Sequence, residues 1–571
     1  MADKSFFADG HQLVLDALQG LCQTSSELVL NIATKTVSSS NHDGSKHVTL
    51  ISGGGAGHEP AHAAFVGRGM LSAAVSGNVF ASPSVSQIVD AIHSAGGSAG
   101  TILIVKNYTG DIFHFHLAAE KARARWGHRV EVLVVGDDVA VGRQRGGKVG
   151  RRGLAGTVLV HKILGALSAK GKSIDELLAV GKQVVDNLVT CGVSQGHVHI
   201  PGTAPQDVPV KLELGMGIHN EPGHTVLDPR PSLDAVIERM LDLLTRTDDE
   251  DRAFVNFTEA KPVLLLNNLG GTSQLEMSAI LHHVLELLVK RGLQPIRVLA
   301  GTFMTSLDAS GFSITLLNAT ADLLEAIDDQ TSAVGWPRSI STPALTNGHA
   351  TDEKEPTSSS SFSNSTGPKI NSDTFTTAVT AACRNLIAAE PRITQSDSLV
   401  GDGDCGTTLA RGANAVLQTL SASPLSSSTT ASAAVMQIAQ ALETSMDGTS
   451  GALYEMFVTA LAAELLTIPE ETASLAVWAK AAGVALARLQ AMTPARVGDR
   501  TIMDALIPYV QALSKGSVQQ AVKAAKEGCE STRGMEASLG RAVYVSDENW
   551  GKVPDPGAEG IVAIVEGLAE G

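Results

Sequence analysis

The chain has 571 residues, 43 of them Lys or Arg and 59 Asp or Glu, for a formal net charge of −16. That balance excludes a general nucleic-acid binder, because neutralising phosphates takes clustered Lys and Arg. A hydrophobic content of 43% against 18% charged excludes global disorder, and 56 glycines need places where a side chain would be in the way, since helix and strand interiors disfavour them.

The first ten residues carry acids and no apolar run, so they do not read as a signal peptide. No stretch of about 18 apolar residues suggests a membrane span. Cys22, Cys191, Cys383, Cys405 and Cys529 are scattered without a C-x-x-C pair, which points away from zinc or a disulfide framework. A cytoplasmic protein is expected. Short β-branched runs then alternate with helical patterns: residues 47–52, 101–105 and 130–135 read as strands. Strand, Gly-rich loop, helix is the order of α/β folds.

The first run leads into Ser52-Gly-Gly-Gly-Ala-Gly-His-Glu-Pro60. It is not a dinucleotide fingerprint, because His58 and Pro60 stand where glycine is required. A Walker A loop is absent too: Gly171-Lys172-Ser173 has Ala166 in place of the first glycine and follows a helix. The loop is either a backbone cradle for a ligand or a tight turn whose His58 caps a neighbouring element. A turn-rich segment at 201–209 divides the first half into α/β subdomains at 1–198 and 199–340. After it come a strand at 210–214 and the cluster Glu213-Leu-Gly-Met-Gly-Ile-His-Asn-Glu-Pro-Gly223. His219 there sits at a strand end, where α/β folds place chemistry. It is a candidate nucleophile or base, or simply one of 17 structural and solvated histidines. Residues 262–267 read as another strand.

Residues 341–371 are rich in Ser, Thr, Pro and Asn and read as a linker. Beyond them the strand signals vanish. Residues 433–442, 453–466, 473–489 and 501–513 have helical periodicity, with 421–432 a Ser-rich loop, so 372–571 is expected to be all-α. Asp397, Asp402 and Asp404 fall within Ser396–Gly406. Held together they would repel, and a hard divalent cation relieves that. An EF-hand is excluded, for the loop lacks the closing acid. Asp447-Gly-Thr-Ser-Gly451, opening a helix, is a natural phosphate site. Carboxylates and a phosphate cradle in one domain suggest a nucleoside triphosphate; the alternative is a solvated acidic loop.

Residues 52–62, 105–111, 151–157, 215–219 and 401–406 together resemble the single-chain, ATP-dependent dihydroxyacetone kinases, over nearly the whole chain outside the linker. The resemblance implies an α/β K domain of two subdomains followed by an L domain, an antiparallel helical barrel. It implies that His219 attacks the ketone carbon of the triose to give a hemiaminal, that Asp111 is the base for the terminal hydroxyl, and that His58 assists the proton transfers. Gly55, Ala56, Gly57 and Lys106 match positions lining the triose site. Asp397, Asp402 and Asp404 match ligands of two Mg²⁺ ions on ATP. Cys405, Gly406, Thr407, Thr408, Thr449, Ser450, Thr501, Ile502, Arg541, Asp555, Pro556 and Gly557 match nucleotide-binding positions. Two residues depart from the family pattern: Asn220 replaces a glycine after the nucleophile, and Ile502 a methionine.

Three other readings stand beside this one: FAD–AMP lyase chemistry at the L-domain metal site, an L-domain ADP recharged by a phosphohistidine carrier, and a non-catalytic triose sensor. The retained His219, Asp111 and three aspartates speak against the sensor. The likeness also implies a homodimer with each L domain over the partner's K domain; the linker would span about 30 Å as a flexible coil.

Overall fold

The computed structural model describes residues 5–7, 9–201, 210–258, 261–337, 367–446, 448–537, 539 and 551–571. The chain forms two compact units, Met1–Thr351 and Asp352–Gly571. The first holds two six-stranded sheets. β1 (Leu28–Asn31), β2 (Thr36–Ser39), β3 (Thr49–Ala56), β4 (Ala73–Val79), β5 (Thr101–Lys106) and β6 (Val130–Val135) lie in the order β1-β2-β4-β3-β5-β6. β4, β3, β5 and β6 run parallel, and β1 and β2 close one edge antiparallel. β7 (Leu188–Gln195), β8 (Leu212–Leu214), β9 (Thr225–Leu227), β10 (Val263–Asn268), β11 (Arg297–Gly301) and β12 (Ser310–Leu317) lie in the order β11-β10-β12-β7-β8-β9. Only β10 and β11 pair parallel there. The second sheet therefore begins at Leu188, ahead of the boundary expected at 198. The run Leu188–Gln195 is buried almost throughout and forms an inner strand, and the turn-rich segment that suggested the boundary lies after it.

Helices of this unit are α1 (Gly10–Cys22), α2 (Val85–Ala95), α3 (Thr109–Trp126), α4 (Arg143–Gly146), α5 (Thr157–Ala169), α6 (Ile174–Asp186), α7 (Leu233–Thr245), α8 (Gln274–Lys290) and α9 (Ala321–Asp328). Strand alternation sorts them into layers. Ile51, Leu103 and Val105 point to α2 and α3, while Leu50, Ile102 and Ile104 point the other way, to α5. Leu188, Val263, Leu265 and Leu317 of the second sheet enter that same inner core, and Val189, Leu264, Leu266 and Leu316 cover α7 and α8. One core is thus shared between the two sheets, with α5, α6 and α9 in it. Ser173, from the Gly-Lys-Ser tripeptide, is the N-cap of α6 in a capping box with Glu176.

Among its described residues the second unit is all helix: α10 (Ser372–Val400), α11 (Cys405–Ala422), α12 (Ala431–Ser445), α13 (Gly448–Leu465), α14 (Leu475–Met492), α15 (Met503–Leu513), α16 (Val518–Ser531) and α17 (Pro556–Glu570). Each packs on the next, and α17 packs back on α10, closing an eight-helix ring. Gly567 and Gly571 permit that closure, since a Cβ on either would lie 2.4–2.5 Å from a Cα of α10. Antiparallel alternation brings the N-termini of α11, α13, α15 and α17 to one end of the ring. Residues 367–371, expected in the linker, are docked on this unit: Lys369 N–H donates to the Glu471 carbonyl and Ala431 N–H to that of Pro368. Among the described residues no helix is long and apolar enough to cross a membrane.

Candidate active site

In the first unit the site forms at the carboxyl ends of β3 and β5. A Cβ on Gly53 would lie 2.3 Å from the Val75 carbonyl oxygen, and one on Gly55 2.6 Å from the Ala81 nitrogen, so the loop packs too closely for side chains. A Cβ on Gly54 would sit 3.5 Å from Asp111 Oδ2 and 3.7 Å from Lys106 Nζ. Those two charged groups therefore converge on one spot above the loop. Lys106 ends β5 and Asp111 lies in the first turn of α3, both buried. Lys106 Nζ, Asp111 Oδ1 and the Tyr108 hydroxyl have no hydrogen-bond partner in the protein. Leaving a buried polar group unpaired costs about 1–3 kcal/mol, and a small polyhydroxylated ligand would supply the missing partners. Burial lowers the affinity of Lys106 for its proton, opposed by Asp111, Glu221 and Glu59.

His58 and His219 meet over this spot from opposite sheets. Their Nε2 atoms are 3.0 Å apart, and His58 Nδ1 lies 2.8 Å from the Thr305 carbonyl. Phe80 stacks on the His58 ring at 5.3 Å, and Tyr108 meets the His219 ring edge-on at 4.5 Å. His58 is fully buried, which together with Lys106 holds its basicity well below that of a free imidazole. His219 stands in the turn after β8, its side chain 18% exposed, and the Ser306 hydroxyl donates to the neighbouring Ile218 carbonyl at 2.8 Å.

The structure thus brings together His58, Lys106, Asp111 and His219. The other expected lining residues hold the loop itself. The Ala56 carbonyl accepts from Phe80 N–H, the Gly57 carbonyl accepts from Leu307 N–H, and Gly57 N–H donates to Glu59 at 2.9 Å. Sequence reasoning missed Phe80, Tyr108 and Glu221. Glu221 accepts from the His219 backbone N–H at 2.8 Å and lies 3.1 Å from His219 Nδ1. Its place two residues after the histidine was the available signal.

Asn220 has φ +63, where glycine is favoured. Its Oδ1 accepts from Val198 N–H at 2.9 Å and its Nδ2 donates to the Val198 carbonyl at 3.0 Å. It pins the segment after β7 to the turn that carries His219. Asn220→Gly keeps the backbone geometry and releases Val198; steady-state kinetics with the triose that the resemblance implies should show KM raised by up to about tenfold, with kcat less affected.

In the helical unit Asp397 ends α10 and Asp402 and Asp404 occupy the loop to α11, with one oxygen of each within 4.8 Å of the others. Cys405 N–H donates to Asp397 Oδ2 at 3.0 Å. A Cβ on Gly401 would lie 2.1 Å from Asp397 Oδ1, and one on Gly406 2.3 Å from Thr394 Oγ1, so both glycines hold the loop against α10. Three converging carboxylates are the donor set of a hard divalent cation. Cys405, Gly406, Thr407 and Thr408 form the first turn of α11, and Thr449 and Ser450 that of α13. Burial pushes the Cys405 thiol up to about 12, with a hydrogen bond from Ser450 working against it. Thr501 N–H donates to Asp504 at 2.8 Å ahead of α15. Ile502 packs on Gly557, where a Cβ would lie 2.4 Å from its Cγ2. Asp555 caps α17, whose first residue is Pro556, and burial pushes its carboxyl up to about 7. Four helix N-termini thus present N–H groups beside the aspartates, an arrangement suited to phosphate. Arg541 and Asp447 lie outside the described residues. Sequence reasoning also missed Arg500, which is buried and donates to the carbonyls of Thr532 and Val553, tying the segment before α17 to the end of α16.

Residues 19–335 match the Dak1 domain and residues 399–570 the DAK2 domain. The chain is 44% identical to a dihydroxyacetone kinase of Komagataella pastoris, over 98% of this chain and 97% of that one. The chain belongs to the dihydroxyacetone kinase family. The two-sheet unit is accordingly the family's K domain and the helical ring its L domain. Human triokinase/FMN cyclase is 37% identical over 97% of each chain. The crystal structure of the C. freundii dihydroxyacetone kinase with AMP-PNP and Mg²⁺ matches at a TM-score of 0.62 and 32% identity, covering both chains fully.

Proposed function

We propose that this protein is an ATP-dependent dihydroxyacetone kinase. The observation that carries the reading is the pairing of His219 with His58 together with three unsatisfied buried polar groups, on Lys106, Asp111 and Tyr108, in a family whose named relatives include dihydroxyacetone kinases. His219 captures the ketone carbon as a hemiaminal, which selects carbonyl compounds over glycerol. His58 serves the carbonyl oxygen, Asp111 takes the proton of the terminal hydroxyl, and Lys106 holds the hydroxyls. In the L domain Asp397, Asp402 and Asp404 hold Mg²⁺, with two ions as the expected count. The first turns of α11 and α13 receive the phosphates, and Thr501, Ile502, Arg541 and Asp555–Gly557 surround the nucleotide. Mg²⁺ bound there neutralises phosphate charge. The working form is a homodimer in the cytoplasm, with each L domain serving the partner's K domain.

ADP release coupled to dihydroxyacetone, glyceraldehyde or glycerol tests this directly. Turnover is expected with the first, allowed with the second and negligible with glycerol. Triose binding without ADP release in any case would favour a sensor instead. Because one relative is a triokinase/FMN cyclase, FAD with Mn²⁺ is the second substrate to try, and cyclic FMN formation would add that activity rather than replace the kinase.

A further inference from the structure

Each ring nitrogen of His58 and His219 faces one partner. His58 Nδ1 faces the Thr305 carbonyl at 2.8 Å, which can only accept, so this nitrogen holds a proton. His219 Nδ1 faces Glu221 Oε1 at 3.1 Å, while Glu221 Oε2 accepts from the His219 backbone N–H. Burial works to raise the Glu221 carboxyl, but its bonds to His219 outweigh that and hold it down at about 2. It is a carboxylate, it can only accept, and His219 Nδ1 also holds a proton. Two neutral rings so arranged would set both Nε2 lone pairs against each other across 3.0 Å. One more proton turns that repulsion into an N–H···N hydrogen bond.

We propose that Glu221, His219 and His58 form one array holding a shared third proton, with Glu221 the positioning residue that supplies its counter-charge. The surrounding charges decide where the positive charge rests. His58 is faced by Lys106 and His62, and Lys106 in turn by Asp111, by Glu221 itself, and by Glu59 and Asp137. Glu221 is faced by Tyr108 and by Arg152, which is itself paired with Asp138. Burial and Lys106 oppose a cation on His58. The charge therefore rests on His219, beside Glu221, and His219 Nε2–H donates to His58 Nε2.

On the covalent reading above, the array balances the whole addition. The proton passes from His219 Nε2 to His58 Nε2 and frees the attacking lone pair. As that pair forms the C–N bond, the π pair of the carbonyl moves to oxygen, which takes the proton from His58. His219 ends alkylated at Nε2 and protonated at Nδ1, still a cation beside Glu221, and His58 ends neutral. No proton enters from or leaves to solvent.

Two measurements on the full chain test this. In nitrogen-15 spectra of histidine-labelled wild-type enzyme without substrate, the His58–His219 pair should show three ring N–H groups and a scalar coupling between the two Nε2 atoms; two N–H groups would overturn the shared proton. Adduct formation, followed by carbon-13 NMR of dihydroxyacetone labelled at the carbonyl, should take up and release no proton in wild type. In Glu221→Gln the amide oxygen still accepts from Nδ1, but the counter-charge is lost, and the pair should show two ring N–H groups under the conditions where wild type shows three. Glu221→Asp should restore the third N–H group. A merely structural Glu221 would weaken the adduct without changing the count, and three N–H groups in Glu221→Gln would reject the proposed role. If wild type forms no adduct, the covalent reading fails, while the N–H count still decides the proton array, even should the variants not fold.

Discussion

His219→Ala is expected to lower kcat/KM for dihydroxyacetone by about 10³-fold or more, the range over which a lost positioned acid, base or nucleophile is felt. The loss should be concentrated at low substrate. His58, Lys106 and Asp111 remain, held by the Thr305 carbonyl, the end of β5 and the first turn of α3, so a triose at high concentration can still hydrogen-bond in the pocket. On the proposed covalent reading, what disappears is the bond that only a carbonyl compound can make. The preference for dihydroxyacetone over glycerol should therefore collapse along with the rate, because both ligands then bind through hydroxyls alone. Parallel kinetics with the two substrates give the answer. Undiminished turnover at low dihydroxyacetone would remove His219 from the mechanism. A uniform rate loss with the preference intact would make it a general base.

The second large effect lies in the L domain. Asp402→Asn together with Asp404→Asn should reduce ATP-dependent turnover by about 10³-fold, the order seen when preorganised charge at a phosphoryl centre is removed. Stability should move the opposite way. Three carboxylates whose oxygens approach within 4.8 Å repel when no cation is bound, so the double variant should melt higher than wild type without Mg²⁺. The wild type should gain stability on adding Mg²⁺, by linkage, and the variant should not. Melting curves with and without the ion separate a metal site from a solvated acidic loop: equal responses of the two proteins would leave the loop without its ion.

Much of the site was legible because its residues lie in long local motifs. Gly53 to His58, Lys106 to Asp111 and Asp402 to Gly406 each occupy one strand-end loop or helix start, and glycine marks where a Cβ has no room. Glu221 and Tyr108 were not assigned, although both lie inside quoted motifs. Tyr108 from the end of β5 meets His219 from the second sheet, a contact between sheets that leaves no periodic trace in one sequence, whereas Glu221 bonds His219 within one turn and only its spacing of two residues could have signalled it. That the second sheet starts at Leu188, ahead of the turn-rich segment, has a related reason. A turn-rich segment marks where a chain can bend, while sheet membership is decided by pairing, and β7 pairs with β12 more than a hundred residues later. Of the eight ring helices, four were read directly, at α12 to α15. The others were less visible; α16, for one, is polar over most of its length and buries only Ala521, Ala525 and Cys529.

The core shared between the two sheets has a consequence for how the K domain comes apart. Leu50 and Ile104 from one sheet and Val263 and Leu265 from the other bury themselves in the same cluster, with α5 between them. Neither sheet with its outer helices keeps a finished interior when the other is removed. The two α/β subdomains are divisions of topology and not of thermodynamics: they form one cooperative unit, in which loosening His219's sheet also loosens the sheet that carries His58. The pair His58–His219 is thus joined by the melting of a single domain, and a destabilising change far out in either half reaches both histidines at once.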